Sequence, residues 1–469
     1  MLKVRPSKLE SSSQRLIKNT MIIGLGNIGS RAIMFVLTIL LARWLSKESY
    51  GLLDLYLVSI QIFVPFFTLS LDEAIFRFLL DKANSDKVQE VISTGIFASV
   101  IGCSIFVLVS ILVYWEGTVL HSLYLMVLLF LESVVLALFN AAARGLKQIT
   151  AYAVGNLLLG VVLTVATLIM VIIFDMELNG VLWGYIIGYA AAILWISYAI
   201  SIKKYIKLGS FSFGKFKDMA MYSSPLILNS TAWWVINVSD RYFINLWTGL
   251  AANGIYSAAN KIPAILTILY SVFHISWIQS ATEEIGSEQY IAYCNKVFNN
   301  VIGLVVSIAT VLIASNFIIY GYIFGSDYNE AYWYAPIIIW ALVMSCMAQF
   351  IGGIMIAHKD SKTNGFTNIM AALVNLILNI FLIRNWGLYG ASFSTLIALF
   401  FLFILRFIKL RKYMNLKFER KLNFQLLLSL IITVAVYWNN MYVNIISLII
   451  AITLGGVANW RFLAARFIK

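Results

Sequence analysis

The chain has 469 residues, of which 61% are hydrophobic and 12% are charged. Soluble domains are roughly half apolar and about a quarter charged, so this composition excludes a soluble fold. The formal net charge of +13 does not indicate nucleic acid binding, because cytoplasmic loops of membrane proteins are rich in Lys and Arg. The three cysteines lie scattered in or beside apolar runs and predict neither a disulfide framework nor a metal site.

Fourteen apolar runs follow one another along the chain, and most are long enough to cross ~30 Å of hydrocarbon as a helix. In chain order, the predicted spans cover residues 19–43, 50–72, 91–113, 121–143, 151–174, 180–202, 221–247, 255–279, 297–320, 335–357, 365–383, 388–408, 424–438 and 444–462. The gaps between them are short. The sequence therefore predicts an all-α integral membrane protein with no large domain outside the bilayer.

Lys and Arg residues are sorted between the two sides of these spans. Of the 34 basic residues, 28 fall in alternate gaps, and only Arg43, Lys47 and Arg384 fall in the other gaps. Positive charge is retained on the cytoplasmic side of a membrane, so the pattern predicts that both termini are cytoplasmic. Tyr and Trp residues cluster at the opposite, outer ends of the spans, where amphipathic rings favour the interface.

An internal repeat divides the predicted spans into two sets of six. Residues 42–54 resemble residues 245–257, with Trp44 matching Trp247 and Gly51 matching Gly254. The repeat predicts a first lobe over 1–202, a basic linker over 203–220 and a second lobe over 221–410. The last two helices, in 411–469, are additional. Parallel repeats of this kind are a transporter architecture, with the substrate path at the repeat interface.

Polar side chains inside apolar runs indicate function, since a charge near the bilayer centre is costly. Those that share a polar helix face in the first, seventh and eleventh spans include Asn27, Arg31, Asn237, Arg241, Asn368 and Asn375. Lys261 lies early in the eighth span. Arginine binds phosphate oxygens bidentately and lysine supplies a compact charge, so Arg31, Arg241 and Lys261 predict a cationic cavity for an anionic substrate. The alternatives are an ion pair between Asp240 and Lys261 that joins two helices, and cationic side chains that extend to the outer membrane interface.

A second set of titratable side chains suits ion coupling. His121 and Glu132 fall on one face of the fourth span, and such a pair could carry protons through a transport cycle. Asp240 is a third candidate. The alternative is a Glu132 that is satisfied by neighbouring hydroxyl or Arg groups. No cofactor is predicted, and coupling to an H+ or Na+ gradient is left open.

Several motifs carry a family resemblance. Residues 15–20, 41–45 and 72–77, together with Ser239–Tyr242 and Lys261–Pro263, resemble the bacterial polysaccharide flippases of the Wzx type. These belong to the multidrug/oligosaccharidyl-lipid/polysaccharide (MOP) superfamily, which includes the MATE transporters. The resemblance implies two six-helix lobes around a V-shaped cavity that opens to each side in turn.

The resemblance also implies a function. Such a protein lies in the bacterial cytoplasmic (inner) membrane and is a transporter rather than an enzyme. It flips undecaprenyl-diphosphate-linked oligosaccharides for O-antigen (lipopolysaccharide), capsule or exopolysaccharide biosynthesis. The implied partners are membrane lipids and the polymerase and chain-length regulator of the same pathway. The alternatives are a cation-coupled multidrug exporter, which would favour carboxylates in its cavity, and a polysaccharide polymerase or ligase, which the short outer gaps disfavour.

Overall fold

A computed structural model describes residues 29–30, 32–81, 87–115 and 122–467. These residues form helices and their connections, with no strand among them. In chain order the helices are α1 (Ala32–Trp44), α2 (Lys47–Phe67), α3 (Leu71–Leu80), α4 (Val88–Trp115), α5 (Leu123–Gly145), α6 (Ile149–Leu168), α7 (Glu177–Ala199), α8 (Phe213–Trp247), α9 (Leu250–Lys261), α10 (Ala264–Glu283), α11 (Tyr290–Ala314), α12 (Asn316–Ile318), α13 (Ala331–Ala357), α14 (Ser361–Leu378), α15 (Arg384–Leu410), α16 (Arg420–Val436) and α17 (Met441–Phe467). Single π-helical turns extend α6, α12 and α14.

Within the described residues, ten helical segments are long and apolar enough to cross a membrane. The chain is therefore a multi-pass membrane protein, and the predicted all-α membrane class is confirmed. Exposure supports this conclusion: α4 is strongly apolar, yet Ile101, Leu108 and Leu112 are all more than half exposed and can only be accommodated by lipid. The count of fourteen spans and the cytoplasmic termini stay predictions.

The chain divides into two compact units. The first contains 1–45 and 56–230, and the second contains 46–55 and 231–469. The boundaries therefore fall inside α2 and inside α8, so that the first turns of α2 belong to the second unit. The predicted segmentation into two lobes, a linker and two added helices stays a prediction.

Two predicted spans end differently in the structure. The span predicted over 255–279 is two helices, because α9 ends at Lys261 and Pro263, which has no N–H to donate, precedes α10. The span predicted over 50–72 stops at Phe67. Leu69 and Ser70 then adopt φ values of 54° and 50°, which turn the chain into α3.

Small residues and an aromatic pair build the core of the first unit. Gly184 lies against Thr167 and Gly188 against Leu163, so the missing glycine side chains let α7 pack closely on α6. Phe106 and Phe130 lie with ring centroids 3.8 Å apart at the packing of α4 on α5. These contacts give the unit a core on one side of α4 and leave its other side to lipid.

Helix α13 is the centre of the second unit. In its most apolar window 83% of the residues are buried, because α13 is hydrophobic on every face and other helices surround it. Trp277 of α10 stacks on Phe350 of α13 at 4.1 Å between centroids and donates its indole N–H to the Phe350 carbonyl. The core thus anchors the helices on which the polar residues of this unit are carried.

A sharp reversal separates α14 from α15. Gly387 adopts φ 53° and ψ −128°, a conformation available only to glycine. Gly390 then lies against the carbonyl group of Leu382, so the chain doubles back on itself. The continuous helical stretch 361–410 therefore contains the two separate spans that the sequence predicts there.

Candidate functional site

Arg241 is the most buried cation of the predicted site. It lies near the end of α8 and is 8% exposed, beside Asp240 at 2%. Asn237 is one helical turn earlier on the same face, and its carbonyl accepts a hydrogen bond from Arg241 Nη1 at 2.8 Å. The same Nη1 donates to Asp240 Oδ1 at 3.2 Å. Local helix geometry therefore fixes one edge of the guanidinium.

The other edge of Arg241 contacts a carboxylate that is 187 residues away in the chain. Arg241 Nε donates to Asp54 Oδ2 at 2.6 Å. Lys261, at the end of α9, donates from Nζ to Asp54 Oδ1 at 3.1 Å. One carboxylate therefore bridges two cations, and all of these residues belong to the second unit. Asp54, Asp240, Arg241 and Lys261 are called the ion cluster below.

Aromatic side chains complete the surroundings of the ion cluster. The Tyr256 hydroxyl donates to Asp240 Oδ2 at 2.6 Å, and the Tyr256 ring lies 5.9 Å from the Arg241 guanidinium carbon. Lys261 Nζ lies 5.9 Å from the centre of the Tyr50 ring, within the range of a cation–π contact. Asp240 thus accepts three hydrogen bonds, from the Arg241 side chain, the Arg241 backbone N–H and Tyr256.

A close helix crossing brings Asp54 to the cations. A side chain on Gly51 would lie 2.2 Å from the Leu250 carbonyl oxygen, and one on Gly254 would lie 2.1 Å from the Lys47 carbonyl oxygen. Only glycine allows two helix backbones to approach this closely. The Asn253 side chain donates to the Gly51 carbonyl at 2.8 Å and reinforces the crossing. Asp54 follows Gly51 by one helical turn and therefore faces α9.

The ion cluster is neutral as a whole and costly to break. It contains two cations and two carboxylates, and the side chains of Arg241, Asp54 and Asp240 are each less than 10% exposed. Removal of one member of a buried ion pair costs about 3–5 kcal/mol, because the partner charge is left uncompensated. The Lys261 side chain is 23% exposed, so it is the member through which the ion cluster is accessible.

The structure separates the other predicted site residues. Asn375 of α14 accepts hydrogen bonds from Ser239 and Asn379. Ser239 precedes Asp240 on α8, so Asn375 lies close to the ion cluster. Asn368 instead accepts from Arg406 at 2.8 Å. One predicted alternative paired Lys261 with Asp240. In the structure Lys261 pairs with Asp54 instead, so that prediction is wrong about the carboxylate.

The remaining predicted residues lie elsewhere. Glu132 is half-buried on α5 of the first unit, and its Oε2 has no hydrogen-bond partner among the described residues. Arg31, Asn27 and His121 lie outside the described residues. No group of His, Cys, Asp and Glu in the described part of the chain is placed to hold a metal ion.

Two charged residues were missed by sequence reasoning. Asp54 carried a usable signal, since it is a carboxylate within an apolar run, as unusual there as Arg241. Arg406 lies at the end of the predicted span 388–408 and is one of the 28 basic residues assigned to the cytoplasmic gaps, whereas the structure buries it inside α15 at 1% exposure. Its guanidinium donates to four neutral oxygens, listed with their distances as Ala348 O (2.8 Å), Asn368 Oδ1 (2.8 Å), Thr367 Oγ1 (3.0 Å) and Asn364 O (3.3 Å).

Comparison with known proteins places this arrangement in context. A family model described as polysaccharide biosynthesis protein matches residues 16–278. The chain is 23% identical over 215 residues to a protein from Haloferax volcanii named "Probable low-salt glycan biosynthesis flippase Agl15". That match covers 44% of this chain and 45% of the relative, so the chain spans about half the length of the curated relative it matches.

Solved structures show the fold. The chain is similar to the lipid II flippase MurJ in an inward closed conformation, with a TM-score of 0.70 and 16% identity over 96% of this chain and 100% of that one. An inward-facing MATE family multidrug transporter of the MOP superfamily gives a TM-score of 0.66 at 14% identity, over 82% and 94% of the two chains. The MOP-type fold implied by the sequence motifs is thereby confirmed.

Proposed function

Because the chain belongs to the polysaccharide biosynthesis protein family, we propose that it is a flippase for a lipid-linked oligosaccharide. It moves undecaprenyl-diphosphate-linked units from the cytoplasmic to the outer leaflet of the bacterial cytoplasmic membrane by alternating access. The names of two similar proteins, a probable glycan biosynthesis flippase and a lipid II flippase, agree with this reaction. Transport rather than catalysis is the function, and O-antigen, capsule and exopolysaccharide pathways would all use it.

The observation that carries the proposal is a pair of cations inside a helix bundle. Arg241 and Lys261 lie close enough to share one carboxylate, so they are spaced to share one diphosphate group as well. Lys261 is half-buried, with 23% of its side chain exposed, and gives the diphosphate group a point of entry. The predicted third cation, Arg31, lies outside the described residues and stays a prediction. An exporter of cationic drugs would favour carboxylates that are free to pair with the drug, whereas both carboxylates of the ion cluster are paired with Arg241 or Lys261.

The test is replacement of the two cations in the native host. Loss of one charge-assisted hydrogen bond to phosphate costs about 1.5–3 kcal/mol, or roughly 10- to 150-fold in affinity. Lys261→Gln and Arg241→Lys should therefore reduce surface glycan and cause lipid-linked units to accumulate in the cytoplasmic leaflet. Lys362→Ala removes an exposed lysine of the same unit and should leave glycan output unchanged.

The readouts are glycan on the cell surface and the amount of protein in the membrane, measured together. Arg241→Ala leaves two buried carboxylates with one cation fewer and risks misfolding, which is why Arg241→Lys and Lys261→Gln are the informative variants. Unchanged glycan in both variants at normal protein level would refute the role of the cations. Drug resistance on overexpression, with no glycan phenotype on deletion of the gene, would refute the flippase function itself.

A further inference from the structure

The two carboxylates of the ion cluster are held in different ways. Asp240 accepts hydrogen bonds from its own helix, through the Arg241 backbone and side chain, and from the Tyr256 hydroxyl. Asp54 comes from a distant segment, and its two oxygens accept hydrogen bonds from the two cations, with the Ser257 side chain beside them. Asp240 therefore belongs to the frame that positions Arg241, whereas Asp54 occupies the face that Arg241 and Lys261 share.

Asp54 binds the cations as a phosphate would. Its two oxygens are divided between them, with Oδ2 on Arg241 Nε and Oδ1 on Lys261 Nζ. Carboxylate and phosphate oxygens both suit the planar guanidinium, and both accept charge-assisted hydrogen bonds from lysine. The donors that a diphosphate would need are thus already directed at one point, and Asp54 lies at that point.

The charge balance favours exchange of one anion for another. With Asp54 in place the ion cluster holds two positive and two negative charges, so an additional anion gains little from binding there. Without Asp54 the cluster carries one uncompensated positive charge. Lys261 is 23% exposed and Asp54 only 6%, so an incoming anion meets Lys261 first and reaches Arg241 only as Asp54 withdraws.

We infer that Asp54 is an internal competitor for the anionic group of the substrate. This step rests on the proposed function. The diphosphate of the lipid-linked unit displaces Asp54 from Arg241 and Lys261. Since Asp54 lies on the α2 turns that are held at the Gly51–Gly254 crossing, displacement also weakens the attachment of the 46–55 segment to α9. Asp54 is accordingly a positioning residue, which keeps the cations together while the site holds no substrate.

The experiment measures binding of inorganic pyrophosphate to the purified full-length protein. A site that is free for only a fraction of the time binds its ligand more weakly by that fraction. Asp54→Asn should therefore lower the apparent Kd for pyrophosphate by about tenfold or more. Adding Lys261→Gln to Asp54→Asn should reverse most of this gain, because the anion then loses one of its two cations.

Asp240→Asn is the matched control. It removes a carboxylate that contacts the same arginine, so a general electrostatic effect would tighten pyrophosphate binding equally in both variants. Competition for the site predicts tighter pyrophosphate binding in Asp54→Asn alone. Asp240 positions Arg241 and does not occupy the face that Arg241 and Lys261 share. Equal tightening in both variants, or no tightening in Asp54→Asn, would overturn the inference.

A second variant guards against misfolding of Asp54→Asn. Asp54→Ser introduces the residue found at the equivalent repeat position, Ser257, and should show the same tightening. Surface glycan should fall in cells that carry Asp54→Ser. Without the Asp54 carboxylate to compete for the cations, the bound substrate is released slowly. If neither Asp54 variant binds pyrophosphate more tightly while Lys261→Gln still lowers surface glycan, the inference fails and the proposed function stands.

Discussion

Replacement of Gly254 by alanine tests the helix crossing on which the candidate site depends. The added Cβ would lie 2.1 Å from the Lys47 carbonyl oxygen and 3.0 Å from the carbonyl carbon. Both atoms belong to the backbone of α2, which cannot rotate away as a side chain would. The two helices must therefore separate, and the hydrogen bond from Asn253 to the Gly51 carbonyl at 2.8 Å is lengthened as they do.

The expected change in the free energy of unfolding is the balance of three contributions. Overpacking costs about 1–3 kcal/mol, and weakening of a buried hydrogen bond adds about 1 kcal/mol. The greater helix propensity of alanine returns up to about 1 kcal/mol. Gly254→Ala should therefore destabilise the protein by about 1–3 kcal/mol. Gly51→Ala should behave in the same way, and the double variant should lose less than the sum, because both residues form one contact.

Gly365→Ala is the control for this measurement. Gly365 is the fifth residue of α14, as Gly254 is of α9 and Gly51 of α2, but a Cβ there would meet no atom within 4 Å. Its replacement should stabilise the protein by up to about 1 kcal/mol. Thermal and denaturant unfolding in detergent give the comparison. If Gly254→Ala proves as stable as Gly365→Ala, the close crossing does not exist and Asp54 is not held at the cations.

Two further predictions concern other polar contacts. Arg406→Leu leaves four buried oxygens without their shared donor and should destabilise the protein by at least about 3 kcal/mol in the same unfolding assay, with Arg406→Lys intermediate. Hydrogen bonds from Tyr413 and Thr363 hold the pKa of Asp360 below its usual range. The stability gained from Asp360 is therefore present at neutral pH and lost as the pH falls below about 4, so Asp360→Asn should show a smaller acid-side drop in unfolding midpoint than the wild type. An equal drop in both would refute the contribution of Asp360.

Apolar periodicity was enough to predict the class of protein, because a helix buried in lipid must be apolar over its whole length. Apolar periodicity did not predict the chain reversal after α2, because apolar residues continue through the turn. The turn at Leu69 and Ser70 contains neither glycine nor proline, although both residues adopt positive φ. The break between α9 and α10 was missed as well, although Pro263 marks it in the sequence.

The candidate site was predictable in its cations and not in its anion. Arg241 and Lys261 stand out because charges are rare in apolar runs. Their shared partner is 187 residues from one and 207 from the other, and no local spacing rule connects positions so far apart. Arg406 was misread for the opposite reason. A basic residue close to a cytoplasmic gap looks like a topology signal until its burial is known.

The internal repeat relates the two sides of the helix crossing, but only one side carries a carboxylate between two cations. With the offset of 203 residues, Lys47 corresponds to Leu250 and Gly51 to Gly254. Lys47 contacts Gly254 while Gly51 contacts Leu250, the reciprocal pattern of a two-fold contact. The charges break this symmetry. Asp54 lies beside its own equivalent, Ser257, and the equivalents of Lys261 and Arg241 are Val58 and Thr38.

The direction of this asymmetry follows from electrostatics. A carboxylate at both Asp54 and the position of Ser257 would place two like charges together in a buried contact, which costs several kcal/mol unless each has its own cation. One carboxylate from the first repeat facing two cations from the second avoids that repulsion and concentrates positive charge at a single point. The loss of symmetry at Asp54 and Ser257 therefore leaves the crossing with a single carboxylate held between two cations.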